Sequence, residues 1–299
     1  MQFTISIPEA LPEMTVKELL EDYFLIPRKI RHFLRTKKHV RVNGEIVHWQ
    51  ETIGPKDYIE LIFDAEDYPE KEILLGQADL VEELYQDEHF IIVNKPEGMK
   101  THGNEPTEVA LLNHVSAYVG QTCYVVHRLD METSGAVLFA KNPFVLPILN
   151  RLLEDKRISR EYLALCQGTF TETDFTLRDR IGRHRHDRRK RVVDPRKGQE
   201  AVTHVQALES NRKTSLVRCQ LETGRTHQIR VHLSHQGHPI IGDPLYHQMP
   251  APRLMLHAQT LRLTHPFTLE EICVSATSDT FDTFLKKRKS LDKIQTFRV

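Results

Sequence analysis

His127-Arg128-Leu129-Asp130-Met131-Glu132-Thr133-Ser134-Gly135 sets one carboxylate between two apolar side chains, two residues after a cation and just before a turn of small residues. Cys123-Tyr124-Val125-Val126 precedes it and Gly135-Ala136-Val137-Leu138-Phe139-Ala140 closes it, and both read as strands. Asp130 is therefore expected on a connection between two buried strands. A carboxylate there needs a partner or a task, because burying an unpaired charge is very costly. The plain reading is an Asp that orders its own turn by accepting from backbone N–H groups. Whether it does more depends on what the rest of the chain brings to it.

From Leu80 onward strand patterns dominate. Phe90–Val93, Tyr162–Cys166, Ala201–Val205, Ser215–Cys219 and Glu271–Val274 join the pair around Asp130, and one helix is expected near 143–156. Many strands and few helices predict an α+β domain over residues 80–299, built on a large mixed or mainly antiparallel sheet. Residues 1–64 read as a small α+β unit ahead of it. Val16, Leu19, Leu20, Tyr23 and Phe24 recur at helical spacing, and Pro27 opens a second helix through Ile30, Phe33 and Leu34. Val40 to Val47 then predicts a hairpin turning at Asn43-Gly44, and Tyr58–Phe63 a closing strand. The acidic stretch 65–79 reads as a linker.

At 299 residues with 39% hydrophobic and 27% charged residues, the composition is that of a soluble globular protein. No apolar run reaches the roughly 20 residues a membrane span needs, and the N-terminus lacks the pattern of a signal peptide. Cys123, Cys166, Cys219 and Cys273 lie far apart, with no ligand-type spacing. A reducing cytoplasm is the expected setting. Net charge is zero, but the charges are segregated. Arg28, Lys29, Arg31, Arg35, Lys37, Lys38 and Arg41 form one basic block, and a second runs from Arg178 to Lys197. Such blocks create a local positive field that a phosphate backbone would feel.

Three further segments could carry chemistry. Asn94-Lys95-Pro96-Glu97-Gly98 is a turn after an apolar strand, where Lys95 is either a phosphate contact or a turn lysine. Arg160-Glu161-Tyr162 opens a strand. Thr223-Gly224-Arg225-Thr226-His227-Gln228-Ile229-Arg230 ends in an alternation that, as a strand, puts Gln228 and Arg230 on one face. An inward Arg230 would need an acid, and Asp130 is the obvious candidate. Gly237 to Tyr246 reads as a loop that shapes a wall. His227, His232, His235 and His238, with Asp243, invite a metal-dependent hydrolase reading, but their spacing fits none of the usual zinc patterns.

Taken together and in order, these segments resemble the RluA-type pseudouridine synthases over most of residues 84–266. His127 to Gly135 fits that family's His-Arg-Leu-Asp-x-x-Thr-Ser-Gly signature, and Thr223 to Arg230 fits Thr-Gly-Arg-x-His-Gln-(Ile/Leu)-Arg. The helix–helix–hairpin unit is similar to a small RNA-binding module of a ribosomal small-subunit protein, whose second helix is also basic. The chain departs from the family at Gly103, where Pro is common, and at His247, where Gly is common.

The resemblance implies an isomerase that detaches uracil from its ribose, turns it and rejoins it through carbon 5, with no cofactor and no metal. It makes Asp130 the catalytic nucleophile, Tyr162 the stacking partner of the base, and Arg230 the cation that keeps Asp130 ionised. Arg128 would fill the vacancy left by the flipped uridine. Arg28, Lys29, Arg31, Arg35, Lys37, Lys38 and Lys95 are the candidate RNA contacts. The expected partner is RNA, ribosomal before transfer RNA, with no membrane and a monomeric enzyme. The rival class is a non-catalytic RNA-binding or ribosome-assembly protein.

Overall fold

The computed structural model describes all residues except 69–71, 212, 248–250 and 297–299, and the side chains of 288–296 are also left aside. Three residues of the expected linker, Pro69, Glu70 and Lys71, thus lie outside the described residues.

A ten-stranded sheet forms the large part of the molecule. Its main path runs through Asp174–Leu177, Thr203–Ser210, Thr214–Leu221, Ile158–Gln167, Leu256–Thr264, Ser134–Ala140, Phe90–Lys95 and Glu82–Gln86. Tyr124–Val125 and Glu271–Ser275 pair at its side. Every pairing is antiparallel except that of Ser134–Ala140 with Leu256–Thr264, which is parallel. The sheet is therefore mixed and mainly antiparallel, as the strand pattern predicts. The central strands read as continuous apolar runs because they are covered on both faces, and every residue of Phe90–Lys95 and Ser134–Ala140 is buried.

Helices are more numerous than the sequence suggested. Besides Val145–Glu154, which was expected, the large part carries Leu111–Val119, Gln228–His235 and Asp279–Thr296. The correction that matters is Gln228–His235. Four residues cannot separate a period of two from a helical turn, and here the turn before them decides. Gln228 accepts from Thr223 Oγ1 (2.7 Å) and from the Arg225 N–H (3.0 Å), so its side chain folds the preceding loop back on the helix start.

In the N-terminal part, a first strand Gln2–Ser6 pairs with Tyr58–Ile62, which pairs in turn with Val40–Val42. The hairpin turns at Asn43 and Gly44, with φ of 52° and 85°, the left-handed pair that an Asn-Gly turn supplies. The helix Arg28–Lys37 starts at Pro27 and ends at Lys38 with φ of 56°. This part does not have a core of its own. Phe3, Phe24 and Phe63 belong to the same buried cluster as Phe90, Phe144 and Phe267. Ring centroids lie 4.9 Å apart for Phe63–Phe144 and 5.2 Å for both Phe3–Phe144 and Phe24–Phe267.

Candidate active site

Asp130 stands at the mouth of a cleft of about 490 Å³ that is also lined by Arg128, Arg160, Tyr162, Arg225 and Arg230. The loop that carries it is clamped from several sides. Thr101 Oγ1 donates to the Leu129 carbonyl (2.9 Å) and accepts from the Leu129 N–H (3.1 Å). On the other side the Thr133 N–H donates to the Asp130 carbonyl (3.1 Å). Gly135 then has φ of 120°, and a Cβ there would fall 2.1 Å from the Ala258 carbonyl oxygen. Only glycine lets the parallel strands close at this point. The turn and the sheet together hold the Asp130 carboxylate in place.

The acid's partner is Arg230, as the sequence suggested, but the geometry is richer. Arg230 Nη1 donates to Asp130 Oδ2 (2.9 Å), while Nε and Nη2 donate to the two oxygens of Asp243 (2.8 and 2.9 Å). Arg230 and Asp243 are each 1% exposed. Burial alone would depress the Arg230 guanidinium, but the Asp243 hydrogen bonds and the Asp130 charge outweigh it and raise its pKa above the ordinary arginine value. Asp243 also accepts from the N–H groups of Leu245 (2.9 Å) and Tyr246 (3.2 Å). Sequence reasoning treated this Gly242-Asp243-Pro244 loop as a wall and missed the anchor. The available signal was a second acid in a turn beside an otherwise over-charged buried cation.

His227, noted in the sequence as part of a motif and in the metal reading, caps the helix with φ of 58°. Its Nε2 lies 3.7 Å from Asp130 Oδ2, and Nδ1 is 2.9 Å from the Tyr246 hydroxyl. Burial lowers its pKa despite the nearby Asp130. Tyr162 is 5% exposed in the strand Ile158–Gln167 and faces the cleft. Burial pushes its phenol above the ordinary value, so it is neutral at pH 7. Arg128 is exposed and borders both this cleft and a second one on the far side of Asp130.

The other expected contacts divide. Lys95 is not a phosphate contact: it is 0% exposed, and its ammonium donates to the carbonyls of Pro96 (2.9 Å), Met99 (2.6 Å) and Met131 (3.2 Å). Burial pushes its pKa down to about 8, offset in part by Asp130. It ties the turn after its strand to the residue following Asp130. In the basic helix, Arg28, Lys29, Arg35 and Lys38 are exposed. Arg31 instead donates to Glu21 (2.8 Å) and to the Ile26 carbonyl (2.9 Å), and Lys37 pairs with Asp64 (2.9 Å) and Asp67 (2.5 Å). Those two hold the fold rather than present free charge, because Arg31 is held by an acid of the preceding helix and Lys37 lies between two acids some thirty residues on.

The second basic block forms a hairpin, Ile181–Arg183 with Arg191–Val193, beside the cleft. Arg183, Arg191, Lys197 and Arg225 line a recess there of about 310 Å³. The histidines of the metal reading do not converge. His232 is held by Thr203 Oγ1 and the Asp179 carbonyl, and His238 by the Gln167 carbonyl, each at 2.9 Å. Among the described residues the metal-type donor group is His39, Asp64 and Asp67, and Lys37 already sits on its carboxylates.

The cleft thus sets the Asp130 carboxylate against a buried arginine, with Tyr162 on its wall and arginines at its rim. Residues 89–235 match the family of RNA pseudouridylate synthases, and residues 3–59 match the N-terminal domain of the RluD ribosomal pseudouridine synthases. An uncharacterised RNA pseudouridine synthase of Bacillus subtilis is 33% identical over 267 residues, covering 87% of this chain and 93% of the relative. The ribosomal large subunit pseudouridine synthase D of Haemophilus influenzae is 34% identical over 298 residues, 90% of each chain. Among solved structures, human RNA pseudouridylate synthase domain containing 1 has a TM-score of 0.57 at 28% identity, over 68% of this chain and 85% of that one. The chain belongs to the RNA pseudouridine synthases, the isomerases that convert uridine to pseudouridine in RNA.

Proposed function

We propose that the chain acts as a monomer in the cytoplasm and isomerises uridines of large-subunit ribosomal RNA, with residues 1–64 docking the RNA, 65–79 linking and 80–299 carrying the reaction. Asp130 is the nucleophile. The observation that carries this role is the Asp130–Arg230–Asp243 chain at the cleft. Asp243 satisfies two Arg230 nitrogens, so the third is aimed at the Asp130 carboxylate and holds it at the cleft. The bond from C1′ to N1 breaks, the uracil turns, and a bond from C1′ to C5 forms. C5 releases a proton and N1 gains one, so the reaction is balanced within the nucleotide and its solvent.

Tyr162 stacks on the detached base. Its neutral phenol can donate or accept a hydrogen bond there but does not serve as a phenolate at neutral pH. Arg128, exposed at the rim, takes the place of the flipped base and offsets part of the few kcal/mol of unstacking. Ribosomal RNA is favoured by the match of residues 3–59 and by relatives whose names specify the large subunit. Four exposed cations on the basic helix and the basic hairpin beside the cleft supply a path for its backbone.

Mapping pseudouridines in total RNA from cells lacking the gene, restored with wild type or Asp130→Asn, tests this. Large-subunit sites should vanish, return with the wild type and stay absent with Asp130→Asn. Sites lost only from transfer RNA would move the substrate, and restoration by Asp130→Asn would remove the nucleophile role.

A further inference from the structure

Arg160 is the buried cation that the reaction above does not use. It is 6% exposed, lines the Asp130 cleft, and its Nε has no hydrogen-bond partner. Among the described residues no carboxylate lies within ion-pair distance of it. The acids on its cleft or strand are committed or turned away, Asp130 being held by Arg230 (2.9 Å). Glu222 is held by Lys156 and by His204 (2.6 Å), Glu161 lies on the opposite face of the strand and approaches Arg218 at 3.7 Å, and Glu154 is exposed. A guanidinium in such a place is expensive unless an anion joins it. The chain also keeps room around it: a Cβ on Gly224 would lie 3.1 Å from Arg160 Nη1.

We propose that Arg160 is a binding site for a backbone phosphate of the target nucleotide. The proposal rests on the reading that Tyr162 holds the uracil. Arg160 and Tyr162 share one face of the strand Ile158–Gln167, about 7 Å apart by the strand repeat, which is the scale on which a nucleotide separates its base from its own phosphate. A phosphate supplies the negative charge that the site lacks, whereas a uracil carbonyl would leave the buried charge uncompensated. Arg160 thus trades stability of the free enzyme for a grip on the substrate that forms only once the nucleotide has entered the cleft.

The test compares the full-length wild type with Arg160→Met and Arg160→Lys, using an unmodified in vitro transcript of large-subunit ribosomal RNA. Affinity is measured across a salt series, melting temperature is measured without RNA, and pseudouridine formation is followed alongside. Loss of one phosphate contact reduces the slope of log affinity against log salt by about 0.7. Arg160→Met should show that reduction and bind at least tenfold more weakly, while melting at or above the wild-type temperature. Arg160→Lys should keep the wild-type slope. An unchanged slope in Arg160→Met overturns the proposal, whether affinity falls, as for a contact to the base, or only the melting temperature falls, as for a structural role. If the methionine variant does not fold, Arg160→Gln carries the same comparison. Absence of pseudouridine with the wild type would count against the function itself, and the slope would still decide Arg160.

Discussion

Two acids on one arginine make an asymmetric arrangement. Asp243 takes two Arg230 nitrogens in a nearly water-free position, and Asp130 takes the third at the edge of the cleft. Removing Asp243 leaves the guanidinium with a single ion-pair partner at hydrogen-bond distance and frees it to rotate. Breaking a buried pair from one side typically costs about 3–5 kcal/mol, so Asp243→Ala should lower unfolding free energy by that order in urea titrations. It should also cut single-turnover rate at least tenfold with RNA affinity nearly intact. A variant as stable and as fast as the wild type would show that Asp243 is not the anchor. The signature around Asp130 could be read directly, whereas the role of Asp243 could not, because it acts through Arg230, whose bond to Asp130 spans 100 residues of sequence and exists only in the folded chain.

At the scale of elements, the basic helix Arg28–Lys37 shows how a charge run splits on folding. One face meets acids from elsewhere in the chain and the other meets solvent. Replacing Arg28, Lys29, Arg35 and Lys38 together by Ala should weaken binding to ribosomal RNA uniformly across sequences. The salt slope should become shallower by about one for each charge that meets a phosphate. Replacing Arg31 and Lys37 should leave that slope unchanged and lower the melting temperature instead. Equal slope changes in the two sets would contradict the division seen in the fold. Composition revealed the block but not the division, since Glu21, Asp64 and Asp67 come to it through tertiary packing. The helix Gln228–His235 teaches the same lesson about local patterns. An alternation of four residues was compatible with a strand, and the Gln228 side chain, bonded back into its own loop, selects the helix.

At the scale of the whole molecule, one buried cluster runs through both parts. Phe63 packs against Phe144 in a tilted pair and lies beside Tyr68 and Phe3 within one aromatic cluster. Phe63→Ala should cost about 3–5 kcal/mol, and calorimetry should record one cooperative transition for wild type and variant alike. Two transitions, with only the first shifted by the variant, would mean that residues 1–64 fold as an independent body. The shared core also implies that deleting residues 1–64 strips cover from Phe144 and Phe267, so RNA docking and stability cannot be separated by truncation alone.

What the sequence determined by itself is the local chemistry. Alternation and apolar runs located the strands, Asn43-Gly44 its hairpin, and the nine residues ending at Gly135 the acid on which the site turns, because these signals act between near neighbours in the chain. Only the tertiary structure decided which charges are spent inside the protein and which remain for RNA. It buried Lys95 against three carbonyls, gave Arg230 a second acid, and among the described residues set no acid on Arg160. The reason is physical: the cost of burying a charge depends on the partners that surround it, and those partners are assembled from distant segments only when the chain folds.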